Sequence, residues 1–138
     1  MKLSGKFRVG AAIGVGVVAA VGLTGCATDG QLGIFSEEQS AEDIVSVSEG
    51  LPNTADADTT RFLWADGDVR YFAALSLDGD PCMIVLDGDP GTSSNACSTA
   101  LPLMISSGPG AREVMLADEL PSSSPDWEKV AEHLWVSK

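Results

Sequence analysis

Three cysteines and one histidine are the only thiols and the only imidazole in this 138-residue chain, and their positions limit its chemistry. Cys82 and Cys97 stand 15 residues apart, and Cys26 lies far upstream behind an uncharged stretch. Two thiols at that offset lack the spacing of a zinc knuckle, and His133 alone cannot complete a four-ligand site. Nucleophilic catalysis needs a serine or cysteine beside a base, and the chain has no Gly-x-Ser-x-Gly elbow to present one. Asp118 with Glu119, or Glu128 with Glu132, would be the carboxylate pair for glycoside cleavage, but so short a chain leaves little protein for a glycan cleft. Asp-Gly-Asp triplets at 66–68, 78–80 and 87–89 carry the hard oxygen ligands that calcium takes. A calcium loop gathers its ligands within about a dozen residues, whereas these triplets are spread over successive turns. What remains of a cation site is a weak one at two tips that share an end, 66–68 and 87–91. The residue inventory therefore points away from an enzyme, and it calls for no metal and no cofactor.

The elements that would position these residues begin with the N-terminus. Lys2, Lys6 and Arg8 precede an uncharged run over residues 9–25 that is rich in Ala, Val and Gly, the layout of an export signal. Seventeen residues barely span a bilayer as a helix, and Gly10, Gly14, Gly16, Gly22 and Gly25 weaken that helix. The run ends in Leu23-Thr24-Gly25-Cys26. These four residues resemble the lipobox of bacterial lipoproteins: an aliphatic residue, a small or hydroxyl residue, Gly or Ala, then Cys. The resemblance implies a diacylglyceryl group on the Cys26 sulfur and cleavage by signal peptidase II between Gly25 and Cys26. It also implies an exported protein held by its acyl chains on the outer face of the cytoplasmic membrane. Each buried CH2 contributes about 0.8 kcal/mol, so two chains on one cysteine anchor a small domain durably.

The first 25 residues hold three of the eight basic and none of the 20 acidic side chains. The other 113 therefore carry five basic against 20 acidic groups, a net charge of −15. Such a surface is repelled by nucleic acid and by anionic headgroups, which leaves the acyl anchor as the contact with the bilayer. Once Cys26 is taken by lipid, Cys82 and Cys97 remain as an even pair in an oxidising compartment, where a bridge is the default. A core of about 80 residues is small enough to need such a staple.

After Cys26, residues 26–59 read as an acidic tether with one short helix over 36–48. Ser36-Glu37-Glu38-Gln39 has the order of a capping box, and Phe35, Ala41, Ile44 and Val45 fall along one side. Docking of that helix on the domain would give Ile34 and Phe35 a place to go. From residue 60 the pattern changes to short apolar runs separated by Asp-Gly, a hairpin signal. Two-residue loops at Asp66-Gly67 and Asp78-Gly79 would put Phe62, Trp64, Tyr71, Ala73, Leu75, Cys82, Ile84 and Leu86 on one face. Leu63, Phe72, Ala74, Met83 and Val85 would form the other, which is too apolar to meet water. A four-residue loop over 88–91 sets Cys97 directly opposite Cys82. Further strands are expected at 101–106 and 112–117 around the turn at 107–110. A short helix opening at Ser124-Pro125-Asp126 and carrying Trp127 and Val130 would follow, then an edge strand over 133–137. Trp64 and Tyr71 belong to the packed face, and Trp127 and Trp135 are the candidates for an exposed aromatic contact.

The landmarks Thr60-Arg61-Phe62-Leu63, Asp66-Gly67-Asp68-Val69-Arg70-Tyr71-Phe72-Ala73, the Cys82 strand, Cys97, Trp127 and Leu134-Trp135-Val136 are similar to those of small actinobacterial lipoproteins. That resemblance implies the two-cysteine β domain and carries no activity with it. The expected protein is mainly β, with α+β as the alternative: an antiparallel meander of five to seven strands, one or two short helices and one disulfide. It occupies residues 60–138, behind the signal peptide (1–25) and the tether (26–59). The expected role is a non-catalytic binding or accessory module for an envelope protein, the alternatives being a divalent-cation or small-solute binder and a cell-wall enzyme acting through His133.

Overall fold

The computed structural model describes residues 32–89, 92–106, 112–120 and 124–138, and over these the chain is mainly β. The signal segment, Leu23, Thr24, Gly25, Cys26 and the turn at 107–110 lie outside the described residues. Among the described residues eight antiparallel strands form two four-stranded sheets. The first is a meander of β1 (Arg61–Asp66), β2 (Val69–Leu75), β3 (Pro81–Asp87) and β4 (Ser94–Cys97). The second contains β5 (Leu103–Ser106), β6 (Glu113–Leu116), β7 (Trp127–Ala131) and β8 (Leu134–Ser137), in the order β5-β6-β8-β7.

Both faces of the first sheet are covered, which explains the unbroken apolar run from Cys82 to Leu86 in its central strand β3. On one face Ala73, Met83 and Val85 pack against Leu103, Ile105, Val114, Leu116, Leu134 and Val136 of the second sheet. On the other, Phe72, Ala74, Cys82, Ile84 and Leu86 meet Val45, Leu51 and Ala55 from the segment before β1. The expected tether is thus a structural layer from Leu32 onward, with Leu32 and Val45 each only 2% exposed.

That layer contains no α-helix, so the helix expected over 36–48 is not formed. The segment makes 3-10 turns at Gly33–Ser36, Val47–Glu49 and Ala57–Thr59. Ser36 donates back to the Gly33 carbonyl, and Gln39 reaches forward to the Ala57 and Thr60 carbonyls, so neither serves a capping box. The capping box that does form joins Ser46 and Glu49. Ile44 and Val45 lie outside any helix, the first in solvent and the second in the core. Gly50 closes this part with φ +112° while its backbone passes so near Leu86 and Ser93 that a Cβ would crowd them.

The registers of the hairpins differ from the Asp-Gly expectation in an instructive way. In the β1-β2 hairpin the loop residues are Gly67 and Asp68, with Gly67 at φ +60°, and Trp64 lies opposite Tyr71 rather than Val69. A bulge between Phe62 and Trp64 then turns Phe62 to the other face, where its ring meets Phe72 edge-on at 5.6 Å. Between β2 and β3 the loop is five residues, 76–80. The Ser76 hydroxyl accepts from the Asp78 and Asp80 amides, and the Ser76 amide donates to the Asp80 carbonyl. Ala74 therefore faces Cys82 and Ala73 faces Met83, one residue away from the two-residue reading. The slip exchanges the two faces of β3, moving Cys82, Ile84 and Leu86 beside Phe72.

Strands β5 and β6 form where the alternation placed them. The helix expected from Ser124 is replaced by a turn at Pro125 and Asp126 and then strand β7. Strand β8 is not an edge: it lies between β6 and β7, with Val114 opposite Val136 and Lys129 opposite Trp135. Among the described residues no helix is long and apolar enough to cross a membrane.

Candidate functional site

Cys82 and Cys97 face each other across β3 and β4 and are joined by a disulfide. Their register is the one the four-residue loop demands. The bridge ties the buried strand β3 to the edge strand β4, and Cys82 itself is fully buried. Its place in the core makes it a structural clamp.

His133 occupies the two-residue turn between β7 and β8 with φ +64°, a conformation histidine tolerates better than most residues. Its Nδ1 lies 3.5 Å from Asp118 Oδ1 and its Nε2 3.8 Å from Glu132 Oε1. The side chain is only 9% exposed, while both carboxylates are well exposed. Two carboxylates on opposite ring nitrogens cannot converge with the imidazole on one ion, and among the described residues Nδ1 has no hydrogen-bond partner. Trp127 and Trp135 are half-buried rather than free: the Lys129 ammonium sits over the Trp135 ring at 5.4 Å, and the indole Nε1 of Trp135 is buried. Among the described residues no three His, Cys, Asp or Glu side chains are grouped to hold a metal ion.

A cavity of about 480 Å³ opens at one end of the sandwich, between the inner face of the first sheet and the start of β6. Strand register builds it. Asp66, Val69 and Asp87 lie side by side across β1, β2 and β3, and the next row inward is Trp64, Tyr71, Val85 and Ser94. Because alternate residues share a face, both rows look towards the second sheet, which supplies Arg112 from the residue before β6. Val69, Tyr71 and Val85 form the apolar floor, and Asp66, Asp87 and Arg112 bring charge to the rim. Trp64, the cross-strand neighbour of Tyr71 on the same face, stacks on its ring at 5.4 Å. Thr92, beside Asp87, is held by hydrogen bonds from its hydroxyl to the Asp87 and Asp89 carbonyls.

Electrostatics focus on the Tyr71 hydroxyl. Burial pushes it above the ordinary tyrosine range, the carboxylates of Asp66 and Asp87 push the same way, and Arg112 opposes them. Comparison of the chain with protein-family models, curated proteins and solved structures finds no match among any of them. The site therefore has to be read from its own chemistry.

The sequence placed Asp66 and Asp87 at tips sharing one end, and both do line this cavity. Tyr71 was assigned to the packed face, and it is also the cavity floor. Arg112 carried no signal, because its arrival at the site depends on how the second sheet stacks on the first. A second, smaller cleft of about 200 Å³ lies between the layer before β1 and the β7-β8 turn, with Glu37, Glu38, Asp43 and Glu132 around Arg61. Arg61 is committed there to backbone carbonyls, donating to Ile34, Thr60 and Glu37. This cleft is a joint between layers.

Proposed function

We propose that the protein is an exported lipoprotein, acylated on Cys26, whose β domain acts as a non-catalytic binding module at the outer face of the cytoplasmic membrane. The observation that carries this reading is Leu23-Thr24-Gly25-Cys26 directly after a basic N-terminus and an uncharged run. The Cys82–Cys97 bridge supports it, since disulfides persist in oxidising compartments outside the cytoplasm. The end cavity supports a binding role, because its size falls within the roughly 300–1,000 Å³ of small-molecule sites and it combines apolar walls with a few polar groups.

Expression of the full chain in a bacterium fed an alkyne-tagged palmitate tests the anchor. The wild type should take up label and sediment with membranes after carbonate washing, and Cys26→Ala should do neither. Label retained by Cys26→Ala, or a wild type released by carbonate, would overturn the reading.

A further inference from the structure

The end cavity holds ionised groups of both signs that leave one another unpaired. Asp66, Asp87 and Arg112 all line it, yet among the described residues none of their side chains makes an ion pair or a hydrogen bond. The other described cations are engaged: Arg61 with three carbonyls, Arg70 with Glu49, Lys129 over Trp135 and Lys138 with the Pro125 carbonyl. Asp66 and Asp87 end β1 and β3, the two strands that flank Val69 of β2, while Arg112 comes from the other sheet. The cavity thus separates a negative wall from a positive one across an apolar floor.

We infer that this cavity binds a small zwitterion with an apolar body, an apolar amino acid or short peptide, its ammonium on Asp66 and Asp87 and its carboxylate on Arg112. Each part of the ligand has a matching surface. A guanidinium offers a planar fork that fits a carboxylate bidentately. Two carboxylates suit an ammonium with its three donors. Val69, Val85 and the Tyr71 ring meet the apolar body, and Trp64, stacked on Tyr71 from the neighbouring strand, holds that ring in place. A simple cation would leave Arg112 unmatched and a simple anion would face two carboxylates, so the mixed lining discriminates against both. The raised Tyr71 hydroxyl stays protonated at neutral pH and is available as a donor or acceptor at the centre of the site.

This assignment rests on the binding-module reading but is tested apart from the anchor. Full-length protein in detergent micelles would be titrated by calorimetry with leucylleucine, with its C-terminal amide, which lacks the carboxylate, and with its N-acetyl derivative, which lacks the ammonium. Leucylleucine should bind, and each derivative should bind about tenfold or more weakly, as expected when one charge-assisted contact is lost. Arg112→Gln should weaken leucylleucine by a similar factor and leave the amide unchanged. Asp87→Asn should weaken leucylleucine and leave the N-acetyl derivative unchanged. Arg112 and Asp87 are exposed, so both variants should fold, which a thermal melt checks. Failure of all three probes to bind, equal binding of dipeptide and amide, or an Arg112→Gln protein with wild-type affinity would overturn the inference. Binding by a protein whose Cys26 proves unacylated would sink the anchor and leave this site standing.

Discussion

The Asp43 carboxylate accepts a 2.7 Å hydrogen bond from the backbone amide of Phe62, nineteen residues further along the chain. Its other oxygen accepts from the Ser40 amide at 2.6 Å. One carboxylate thereby closes a turn in the N-terminal layer and pins that turn to β1. Burial pushes the Asp43 acid up, but the hydrogen bonds from Ser40 and Phe62, with Arg61 nearby, outweigh it and hold the carboxyl below the ordinary range.

A carboxyl held low in the folded state contributes stability that is present above its unfolded value and is lost as pH falls through the folded one. Asp43→Ala should therefore cost about 2 kcal/mol near neutral pH, the range for hydrogen bonds to a charged group. The gap between wild type and variant should close as pH falls through and below the ordinary aspartate range. Urea unfolding across that range measures it, and a gap constant with pH would show that Asp43 acts only as a space-filler.

Whether residues 32–59 are a tether or a layer is decided by positions of the same segment with opposite surroundings. Leu51 is 4% exposed against Phe72 and Ile84, whereas Ile44 is 63% exposed. Leu51→Ala should lower unfolding free energy by about 2–4 kcal/mol, and Ile44→Ser should change it by less than about 0.5 kcal/mol. Equal small effects would mean the segment is not part of the cooperative unit.

The contrast between Ile44 and Val45 also shows where sequence reading runs out. Helical spacing predicts both on one apolar side, but no helix forms there and these neighbours go to opposite sides, along a path held by hydrogen bonds that join Gln39 to Thr60, Arg61 to the Ile34 and Glu37 carbonyls, and Phe62 to Asp43. Those partners lie too far along the chain for local pattern to reveal. The Asp-Gly pairs located the hairpins, yet whether a loop holds two residues or five depended on the hydroxyl of Ser76, and the resulting one-residue slip in register reversed every side chain of β3. Cys82 and Cys97 were legible because covalent geometry and loop length constrain the same pair. At Trp127 the helix-start signal yielded to pairing with β8, since five residues cannot sustain a helix alone. The end cavity was half legible: its acidic tips follow from hairpin order, and Arg112 comes only from sheet stacking.

The disulfide closes a loop of about 16 residues, for which chain entropy in the unfolded state gives a contribution of about 3 kcal/mol. The double variant Cys82→Ala with Cys97→Ala should melt more than about 10 °C below wild type, given the steep dependence of melting temperature on free energy in small domains. Reductant should destabilise the wild type and leave the double variant unmoved. A reductant effect on the variant would place the stabilisation elsewhere.

Arg61 links three parts of the chain through one side chain, its guanidinium donating to the Ile34, Thr60 and Glu37 carbonyls while only 8% exposed. Lysine keeps the charge but has a single nitrogen, which cannot reach three carbonyls set around a planar fork. Arg61→Lys should cost about 2–3 kcal/mol, since it leaves acceptors in a half-buried joint without donors. The loss should be local as well as global. Amide exchange should accelerate most at Phe35, Glu37 and Asp43, whose amides bond within the N-terminal layer. Amides of Phe72 and Ile84, at the centre of the first sheet, should slow or quicken only with the global unfolding free energy. Uniform acceleration across both groups would show that the layer and the sheet open as one unit, and that Arg61 stabilises the whole fold rather than fastening its N-terminal part.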